Sequence, residues 1–275
     1  MIPRQMTRTE LETALDWAAA EGWNPGLDDA EAFWQADPQG FFAMEDQGQM
    51  VAAICVVNHD QAMAFLGLYI CERSYRGRGF GHALWQHALG HAGSRSVALD
   101  GVPAQQQNYA RSGFAPAGRT VRLAGPLPAG EATGISPARL EDRATLSALE
   151  AKACGYFKTA FDQQWFSDTH SRHTLVHHDG GVIDGLVTLR ACRDGFKVGP
   201  LVAPSTEVAR ALLAACAEQS GGAQVMIDVP DDARDLAALC ADLGLRQVFS
   251  TTRMYRGAAP MTGSGLHAVA TLELG

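Results

Sequence analysis

The sequence predicts an α/β (α+β) protein in which one pattern of strands and helices occurs twice. Apolar strands alternate with amphipathic helices along the whole chain. A stretch rich in glycine and proline separates two halves that have the same order of elements. A buried strand of the first half leads into a helix through a glycine-rich loop. At 275 residues, two domains are also the expected number.

The first half, residues 1–125, is predicted to begin with a strand and two helices. Thr9 and Glu12 have the spacing of a capping box, which predicts a helix beginning at Thr9. The predicted strands span residues 2–6, 40–46, 49–58, 61–71, 96–102 and 119–123. The predicted helices span residues 9–20, 30–35 and 82–89, with a short helix around residue 108.

The second half repeats this order after a predicted linker at residues 126–136, and it is expected to form a second domain over residues 137–275. The predicted strands span residues 135–140, 175–178, 182–192, 195–202, 224–229 and 247–255. The predicted helices span residues 141–153, 206–217 and 232–243. Residues 202–206 replace the glycine-rich loop with Val-Ala-Pro-Ser-Thr, so this copy is expected to be degenerate and to lack a cofactor site.

The glycine-rich loop is the run Arg76-Gly77-Arg78-Gly79-Phe80-Gly81. A strand, a glycine-rich turn and a helix bring backbone N–H groups and the positive end of a helix dipole to one point, which suits a phosphate. The arginines add charge and forked donors that match a pyrophosphate. A turn kept only for tight packing between strand and helix is the alternative. The loop matches neither the dinucleotide fingerprint nor the nucleoside-triphosphate loop.

A second motif follows about thirty residues downstream, where Tyr109 stands four residues before Gly113-Phe114. Together, the loop and this motif resemble the GNAT superfamily of N-acetyltransferases. The second half resembles the carboxyl-terminal GNAT-like domain of bacterial two-domain proteins that are proposed to be acetyltransferases, through residues 196–201, 227–230, 253–257 and 272–275. The resemblance implies tandem GNAT folds, each with a mixed, mostly antiparallel sheet flanked by helices.

The resemblance also implies acetyl-coenzyme A (acetyl-CoA) as cofactor and a V-shaped gap beside the strand before the loop. By resemblance, the residues that bind the cofactor are Leu68, Tyr69, Ile70, Cys71, Arg76, Gly77, Arg78, Gly79, Phe80, Gly81, His82, Asn108 and Tyr109. Tyr109 is expected to donate a proton to the departing thiolate. Direct attack by the amine is expected, so the Cys71 side chain has no covalent role.

Glu72, at the end of the cofactor strand, is the candidate that accepts the proton of the amine, with a solvated surface charge as the alternative. His59 is expected in a solvent-facing turn. Trp23, Asn24 and Asp28 lie between the first two helices, where GNAT enzymes cover the acceptor. They are candidates for an aromatic wall and an anionic handle, and Trp23 could equally cap the core.

The composition favours a soluble intracellular protein. A formal charge of −8 argues against nucleic acid or an anionic membrane as partner. The six cysteines contain no C-x-x-C pair, which favours a reducing, cytoplasmic setting. No signal peptide or membrane span is expected, and His87 and His91 lack co-ligands, so no metal site is predicted. The oligomeric state is not predicted.

The sequence therefore predicts an acetyl-CoA-dependent N-acetyltransferase that acts on the primary amine of a small molecule or amino acid. A non-catalytic sensor that binds acyl-CoA is the alternative. A nicotinamide-dependent enzyme is disfavoured, because the third glycine and the acidic residue that it needs are not found.

Overall fold

The computed structural model describes residues 2–263 and 266–275. The α-helices of the first half are α1 (Arg8–Ala20), α2 (Asp29–Ala36), α3 (Phe80–Leu89) and α4 (Gln106–Arg111). Those of the second half are α5 (Arg143–Cys154), α6 (Thr159–Trp165), α7 (Thr206–Ser220) and α8 (Arg234–Asp242). The predicted helices are all present, and α6 is an additional helix of the second half that was not predicted.

The strands alternate with these helices along the chain. In the first half they are β1 (Ile2–Gln5), β2 (Phe41–Asp46), β3 (Gln49–Asn58), β4 (Met63–Cys71), β5 (Ser96–Gly101) and β6 (Ala115–Pro126). In the second half they are β7 (Ile135–Pro137), β8 (Arg172–Asp179), β9 (Val182–Ala191), β10 (Phe196–Ala203), β11 (Gln224–Pro230), β12 (Arg246–Arg256) and β13 (Leu266–Ala268). The predicted mixed α/β class is confirmed.

All these strands join one continuous sheet. Its order is β1-β2-β3-β4-β5-β12-β6-β11-β10-β9-β8-β7, with β13 added beside β10. Among the described residues, the parallel pairs are β4 with β5 and β10 with β11, and the other pairs are antiparallel. The sheet is therefore mixed and mostly antiparallel, as expected.

One strand of each half pairs with strands of the other half. β6 of the first half lies between β12 and β11 of the second half, and β12 in turn pairs with β5 of the first half. Residues 127–134 carry no strand or helix. The division into residues 1–125, 126–136 and 137–275 thus remains a prediction about the repeat along the chain, whereas in space the repeats share one sheet.

The N-cap of helix α1 lies two residues earlier than predicted. Thr7 is the N-cap, its side chain accepts from the backbone N–H of Glu10, and the Glu10 carboxylate accepts from the backbone N–H of Thr7. The predicted box of Thr9 and Glu12 is therefore wrong. Both pairs have the same spacing, and Arg4, which donates two hydrogen bonds to Glu10, favours the earlier one.

A buried cluster of charges and rings joins the halves where α2 meets α6. The Asp29 carboxylate lies 3.5 Å from Arg190 Nε and 4.0 Å from Arg172 Nη1. Both guanidinium groups lie over the ring of Trp165, at 4.6 and 4.8 Å from its centroid. Phe33 of α2 stacks on the same ring. Cation–π contacts and charge pairing together stabilise this junction.

Each half contains a point where two parallel strands separate. β4 pairs with β5 only as far as Phe65 and Ala98, and Leu68 has a positive φ of 48° in the bulge that follows. In the second half, β10 pairs with β11 only as far as Val198 and Ile227. We call these gaps the first cleft and the second cleft. The first cleft holds a cavity and the second is occupied by β13, so the candidate site lies in the first cleft.

Candidate active site

The first cleft opens into a cavity of about 760 Å³. Strand β4, the glycine-rich loop, the start of α3 and the end of β5 surround it. The predicted cofactor residues that line the cavity are Leu68, Tyr69, Ile70, Cys71, Arg76, Gly77, Gly79, Phe80, Gly81, His82 and Tyr109. Most of the predicted set is thus brought to one place.

Three of the predicted catalytic and cofactor residues do not line the cavity. Glu72 is exposed and precedes a 3₁₀ turn beyond the end of β4. Arg78 is exposed, and its guanidinium lies over the rings of neighbouring Tyr75 and Phe80. Asn108 bonds to Gln105 and Arg111 on the outer side of α4. The geometry therefore does not bring Glu72 to the place where an amine would be deprotonated.

The glycine-rich loop leaves the start of α3 open to an anion. Gly77 and Gly79 have positive φ angles of 73° and 84°, which favour glycine. Gly79 is the N-cap of α3 and offers no side chain to its N–H groups. These donors and the helix dipole are thus available to a phosphate.

Arg76 folds back over the mouth of the cavity. Its Nε donates to the carbonyl oxygen of Cys71 at 2.8 Å, and its Nη2 donates to Glu21 Oε1 at 2.7 Å. Glu21 follows α1 and also lines the cavity. Arg76 therefore presents a cation beside the loop and ties the end of β4 to the first helix.

Tyr109 lies across the cleft from β4. Its ring stacks on Trp85 with centroids 5.3 Å apart and rests against Gly101, where a Cβ would lie only 3.0 Å from the ring. Burial, with a smaller contribution from Tyr69, raises the pKa of Tyr109 to about 12. The phenol is therefore fully protonated at neutral pH and can act as a donor.

The thiol of Cys71 is unsuited to nucleophilic attack. Burial raises its pKa, although the Arg76 cation lowers it in part. Because the thiolate is the reactive form, a raised pKa keeps this side chain inert.

The second half lines part of the same cavity, beside Arg122 of the first half, and none of these residues was predicted as part of the site. The additional lining residues are Arg122, Met226, Val248, Phe249, Thr251, Leu272 and Glu273. They come from β6, β11, β12 and the segment after β13. Arg122 is paired bidentately with Asp228, with both N–O distances at 2.8 Å.

Models of known protein families match both halves of the chain. Residues 8–114 match the model of the acetyltransferase (GNAT) family, and residues 146–266 match a second model described as an acetyltransferase (GNAT) domain. A holothin acyltransferase of Pseudoalteromonas sp. (strain SANK 73390) is 34% identical over 270 residues, which are 97% of this chain and 92% of that protein. The chain is a GNAT acyltransferase with two GNAT domains.

Solved structures show the same fold for this GNAT acyltransferase. The crystal structure of a proposed acetyltransferase from Pyrococcus horikoshii superposes with a TM-score of 0.83 at 20% identity, covering 100% of this chain and 95% of that one. A tandem GNAT protein from the clavulanic acid biosynthesis pathway superposes with a TM-score of 0.65 at 17% identity, covering 94% and 99%. The tandem arrangement of the fold is thus confirmed.

The residues present fit the acyl-CoA that GNAT enzymes use as donor. The loop provides an anion site, and β4 beyond Phe65 has an edge no longer paired with β5, which suits the amide groups of a pantetheine chain. Tyr109 faces that edge from the other side of the cleft.

The predicted acceptor residues separate into two groups in this GNAT acyltransferase. Trp23 lines the cavity, and its carbonyl oxygen accepts from Lys197 Nζ at 2.8 Å. Asn24 instead bonds to the backbone of Asp194. Asp28 accepts from the hydroxyls of Thr169 and Ser171. Asn24 and Asp28 therefore tie the two halves together outside the cavity.

The histidines are placed differently from expectation. His59 is not a solvent-facing turn residue, because its Nε2 lies 2.7 Å from the carbonyl oxygen of Leu274 and burial lowers its pKa to about 3. His91 bonds to Asp37. Within residues 2–263 and 266–275, no cluster of three or more candidate metal ligands occurs, and no helix is long and apolar enough to cross a bilayer.

Proposed function

We propose that this GNAT acyltransferase is an acetyl-CoA-dependent N-acetyltransferase that acts on the primary amine of a small molecule by direct attack. One observation carries the proposal. The open start of α3, the unpaired edge of β4 and the phenol of Tyr109 all line a single cavity. These are the three services that transfer from a thioester requires, namely binding, orientation and a proton.

The cofactor would be held by the backbone of the first cleft. The N–H groups at Gly79, Phe80 and Gly81 would bind the pyrophosphate, and the backbone of residues 68–71 would bind the pantetheine arm. When bound, acyl-CoA supplies an activated thioester. Everything else in the reaction must come from side chains around the cavity.

Tyr109 supplies the proton that the leaving sulfur needs. Its raised pKa of about 12 keeps the donor form present. Complete transfer to a thiolate with an ordinary pKa would be uphill by about 5 kcal/mol, since each pKa unit corresponds to about 1.4 kcal/mol. The phenol therefore acts chiefly by donating a strong hydrogen bond to sulfur as negative charge develops, in a site where burial also favours the neutral thiol.

The acceptor end of the cavity favours a small amine with an apolar body. Trp23, Met226, Val248 and Phe249 present carbon surface there. The second half encloses this end, which leaves little room for a protein tail. The name of the relative, holothin acyltransferase, gives holothin as its acceptor and does not specify the acyl group. All six cysteines are free thiols, which supports the proposed cytoplasmic setting.

The test combines binding and turnover on the purified protein. Isothermal titration calorimetry with CoA, acetyl-CoA and longer acyl-CoA thioesters should give a one-to-one heat with each ligand. Thiol release should then require an amine from a panel of small alkyl- and arylalkylamines, with mass spectrometry of the amide product. Binding without thiol release from any amine would favour the non-catalytic sensor. An absence of binding heat would refute both functions.

A further inference from the structure

We propose that Glu273, delivered to the first cleft by the second half, accepts the proton that the attacking amine loses. This inference rests on the proposed N-acetyltransferase function and assigns the base for that reaction. It replaces Glu72, which lies exposed and outside the cavity.

The chain reaches this position by passing through the second cleft. Strand β13 pairs with β10 beyond the point where β10 and β11 separate. The segment 269–275 continues to the first cleft and packs backbone to backbone on β4. Gly67 permits this approach, because a Cβ there would overlap the carbonyl oxygen of Glu273.

The segment holds Glu273 in one orientation. The backbone N–H groups of Glu273 and Leu274 both donate to Thr271 Oγ1, at 3.1 and 2.8 Å. The Leu274 carbonyl oxygen lies 2.7 Å from His59 Nε2, and the Gly275 carbonyl oxygen accepts from Lys158 Nζ at 2.7 Å. A rigidly held base can be aligned with its target without the cost of ordering it at the moment of reaction.

The carboxylate of Glu273 is buried, and it has an oxygen without a donor. The residue is only 4% exposed, lines the cavity, and its Oε2 has no hydrogen-bond partner. Leaving a buried charged acceptor without a donor costs stability. An unsatisfied buried oxygen of this kind is expected where a ligand supplies the missing hydrogen bond. A primary amine has the N–H groups that could donate to it.

The other carboxylates at the cavity are already engaged. Asp100 accepts from Arg253 Nε at 3.1 Å and from Arg253 Nη2 at 2.7 Å. Glu21 accepts from Arg76. Among the described residues that line the cavity, Glu273 is therefore the carboxylate with a buried oxygen free for the amine.

Two cations interact with the carboxylate of Glu273. Burial lowers the pKa of Lys197, and the attraction of Lys197 to Glu273 is the largest effect that acts against this lowering. Arg122 is attracted to the same carboxylate. The titratable and charged groups that interact with Glu273 are Arg122 of β6, Lys197 of β10, Cys55 of β3 and Cys192 after β9. Both cations attract the carboxylate, and the two thiols remain neutral because burial raises their pKa values.

The step balances as follows. The nitrogen lone pair forms the C–N bond to the thioester carbonyl carbon, and the C–S bond breaks with its electron pair moving to sulfur. The proton lost from nitrogen goes to Glu273, which then releases it to solvent. Tyr109 donates a hydrogen bond to the sulfur as it leaves, and the sulfur takes its proton from solvent, so the phenol keeps its own. One neutral amine and one thioester thus yield one amide and one thiol.

The experiment compares Glu273→Gln with Glu273→Asp, using benzylamine as the probe and saturating acetyl-CoA. The glutamine retains the size of the side chain but cannot accept the proton, so kcat should fall about a hundredfold. Its kcat should then rise with pH between 6 and 9, because solvent bases must replace the carboxylate, whereas wild-type kcat stays flat. Glu273→Asp should recover part of the rate and the flat profile.

Binding measurements separate this role from a structural one. Calorimetry should give the same CoA affinity, within about twofold, for wild type and Glu273→Gln. The CoA-saturated wild type should bind benzylamine, and Glu273→Gln should lose that binding. Glu45→Gln is the control, because Glu45 is a half-buried glutamate of β2 that bonds to Arg4 and does not line the cavity. It should lower stability without changing the kcat profile.

The outcomes distinguish this inference from the proposed function. An active wild type together with a Glu273→Gln variant of unchanged kcat and pH profile would overturn the role of Glu273 and leave the proposed function intact. Loss of turnover in Glu72→Gln with retention in Glu273→Gln would return the role to Glu72. Failure of the CoA-saturated wild type to bind or acetylate benzylamine would also overturn this assignment, whereas the proposed function would fall only if every amine of the panel failed.

Discussion

The two clefts start from the same geometry and end with different contents. In the first cleft, the separation of β4 from β5 leaves a cavity of about 760 Å³. In the second cleft, the separation of β10 from β11 is filled by β13, whose residues Leu266–Ala268 pair with Leu201–Ala203 of β10. A strand of the chain thus occupies the position that a pantetheine arm would take, and satisfies the backbone groups exposed there.

The helix that begins beside each cleft shows the same contrast. The N-cap of α3 is Gly79, which has no side chain to offer. The N-cap of α7 is Ser205, whose hydroxyl accepts from the backbone N–H of Val208 at 3.3 Å. The second helix therefore supplies its own cap where the first leaves its donors for a ligand. In the second half, internal hydrogen bonds are made by the groups that correspond to those left open in the first half.

The residue proposed as proton donor is also confined to the first half. The residue that follows Gly113 donates its backbone N–H to the carbonyl oxygen of Tyr109, and the residue that follows Gly244 donates in the same way to Cys240. Cys240 thus stands where Tyr109 does, but it is a buried thiol whose pKa is raised by burial. The comparison teaches that the second half contributes walls and Glu273, whereas the first contributes the proposed cofactor site.

The strongest test of the comparison is whether both clefts belong to one folding unit. Replacing Asp29, which is 1% exposed, by alanine leaves Arg172 and Arg190 as buried cations without their partner. We expect a loss of about 3–5 kcal/mol in the free energy of unfolding. Chemical denaturation followed by tryptophan fluorescence and by circular dichroism should show a single shared transition.

The control for Asp29 is an exposed ion pair on the same half. Glu12 bonds to Arg8 one helical turn away and is 58% exposed, so Glu12→Gln should cost less than about 1 kcal/mol. Two separate transitions in Asp29→Ala would contradict the shared unit, because they would mean that each half unfolds independently.

The next largest effect is expected at Tyr109, which the second half lacks. Tyr109→Phe should lower kcat about a hundredfold while changing the KM for acetyl-CoA less than about threefold, since only the hydroxyl is lost. Because its pKa is raised to about 12, the phenol is the protonated donor at every pH below about 11. If the wild-type kcat decreases as the pH rises toward 10, titration of Tyr109 is not the cause. Tyr109→Phe should then show the same decrease. Steady-state kinetics across pH checks both expectations.

Tyr69 is the matched control, because its ring also contacts Trp85 and its hydroxyl lies near Gly81 in the loop. Tyr69→Phe should keep most of the kcat. A large fall in the kcat of Tyr69→Phe, with little change in Tyr109→Phe, would transfer the donor role to Tyr69.

A third test asks how the segment after β13 serves both clefts. A Cβ at Gly199 would overlap the Val269 carbonyl oxygen in the second cleft, and one at Gly67 would overlap that of Glu273 in the first. Gly199→Ala and Gly67→Ala should each lower stability by about 1–3 kcal/mol. Gly67→Ala should in addition lower kcat, because it displaces Glu273 directly. Thermal unfolding and steady-state kinetics measure the two effects.

Gly90→Ala provides the baseline, since a Cβ there meets nothing within 4 Å. Equal losses of kcat in Gly67→Ala and Gly90→Ala would show that the position of the segment in the first cleft is irrelevant to the reaction.

Local patterns in the sequence predicted most of the fold and the cofactor side of the site. Helix α1 and the strands before the loop form where hydrophobic periodicity placed them, and Gly79 and Tyr109 lie where short motifs indicated. The exchange of β6 and β12 was not predictable in this way. Either strand satisfies the edge of β5 or β11 equally well by propensity, and only packing over the whole sheet selects the partner.

The acceptor side depends on contacts between residues far apart in the sequence. Phe249 and Glu273 reach the cavity only because the halves share one sheet, so no spacing in the chain points to them. Asp28, which the sequence suggested as an anionic handle, bonds instead to Thr169 and Ser171 of the other half. Burial would raise the pKa of Asp28, but these hydroxyls lower it on balance.

The smallest predicted effect comes from a substitution that makes the first cleft resemble the second at a single residue. Gly79→Ser places a capping hydroxyl at the start of α3, as Ser205 does for α7. The hydroxyl competes with the pyrophosphate for the same N–H groups, and the positive φ of 84° adds backbone strain. We expect the Kd for CoA to rise about tenfold, which isothermal titration calorimetry measures.

Gly222→Ser separates strain from competition. Gly222 has a nearly identical φ of +82°, and a Cβ there meets nothing within 4 Å, so the substitution carries the same backbone strain in the second half, away from the loop. It should lower the melting temperature about as much as Gly79→Ser without altering the Kd for CoA. If Gly79→Ser also left the Kd unchanged, the N–H groups of α3 would not be the cofactor's anion site. The difference in capping between the two clefts would then be a matter of helix stability alone.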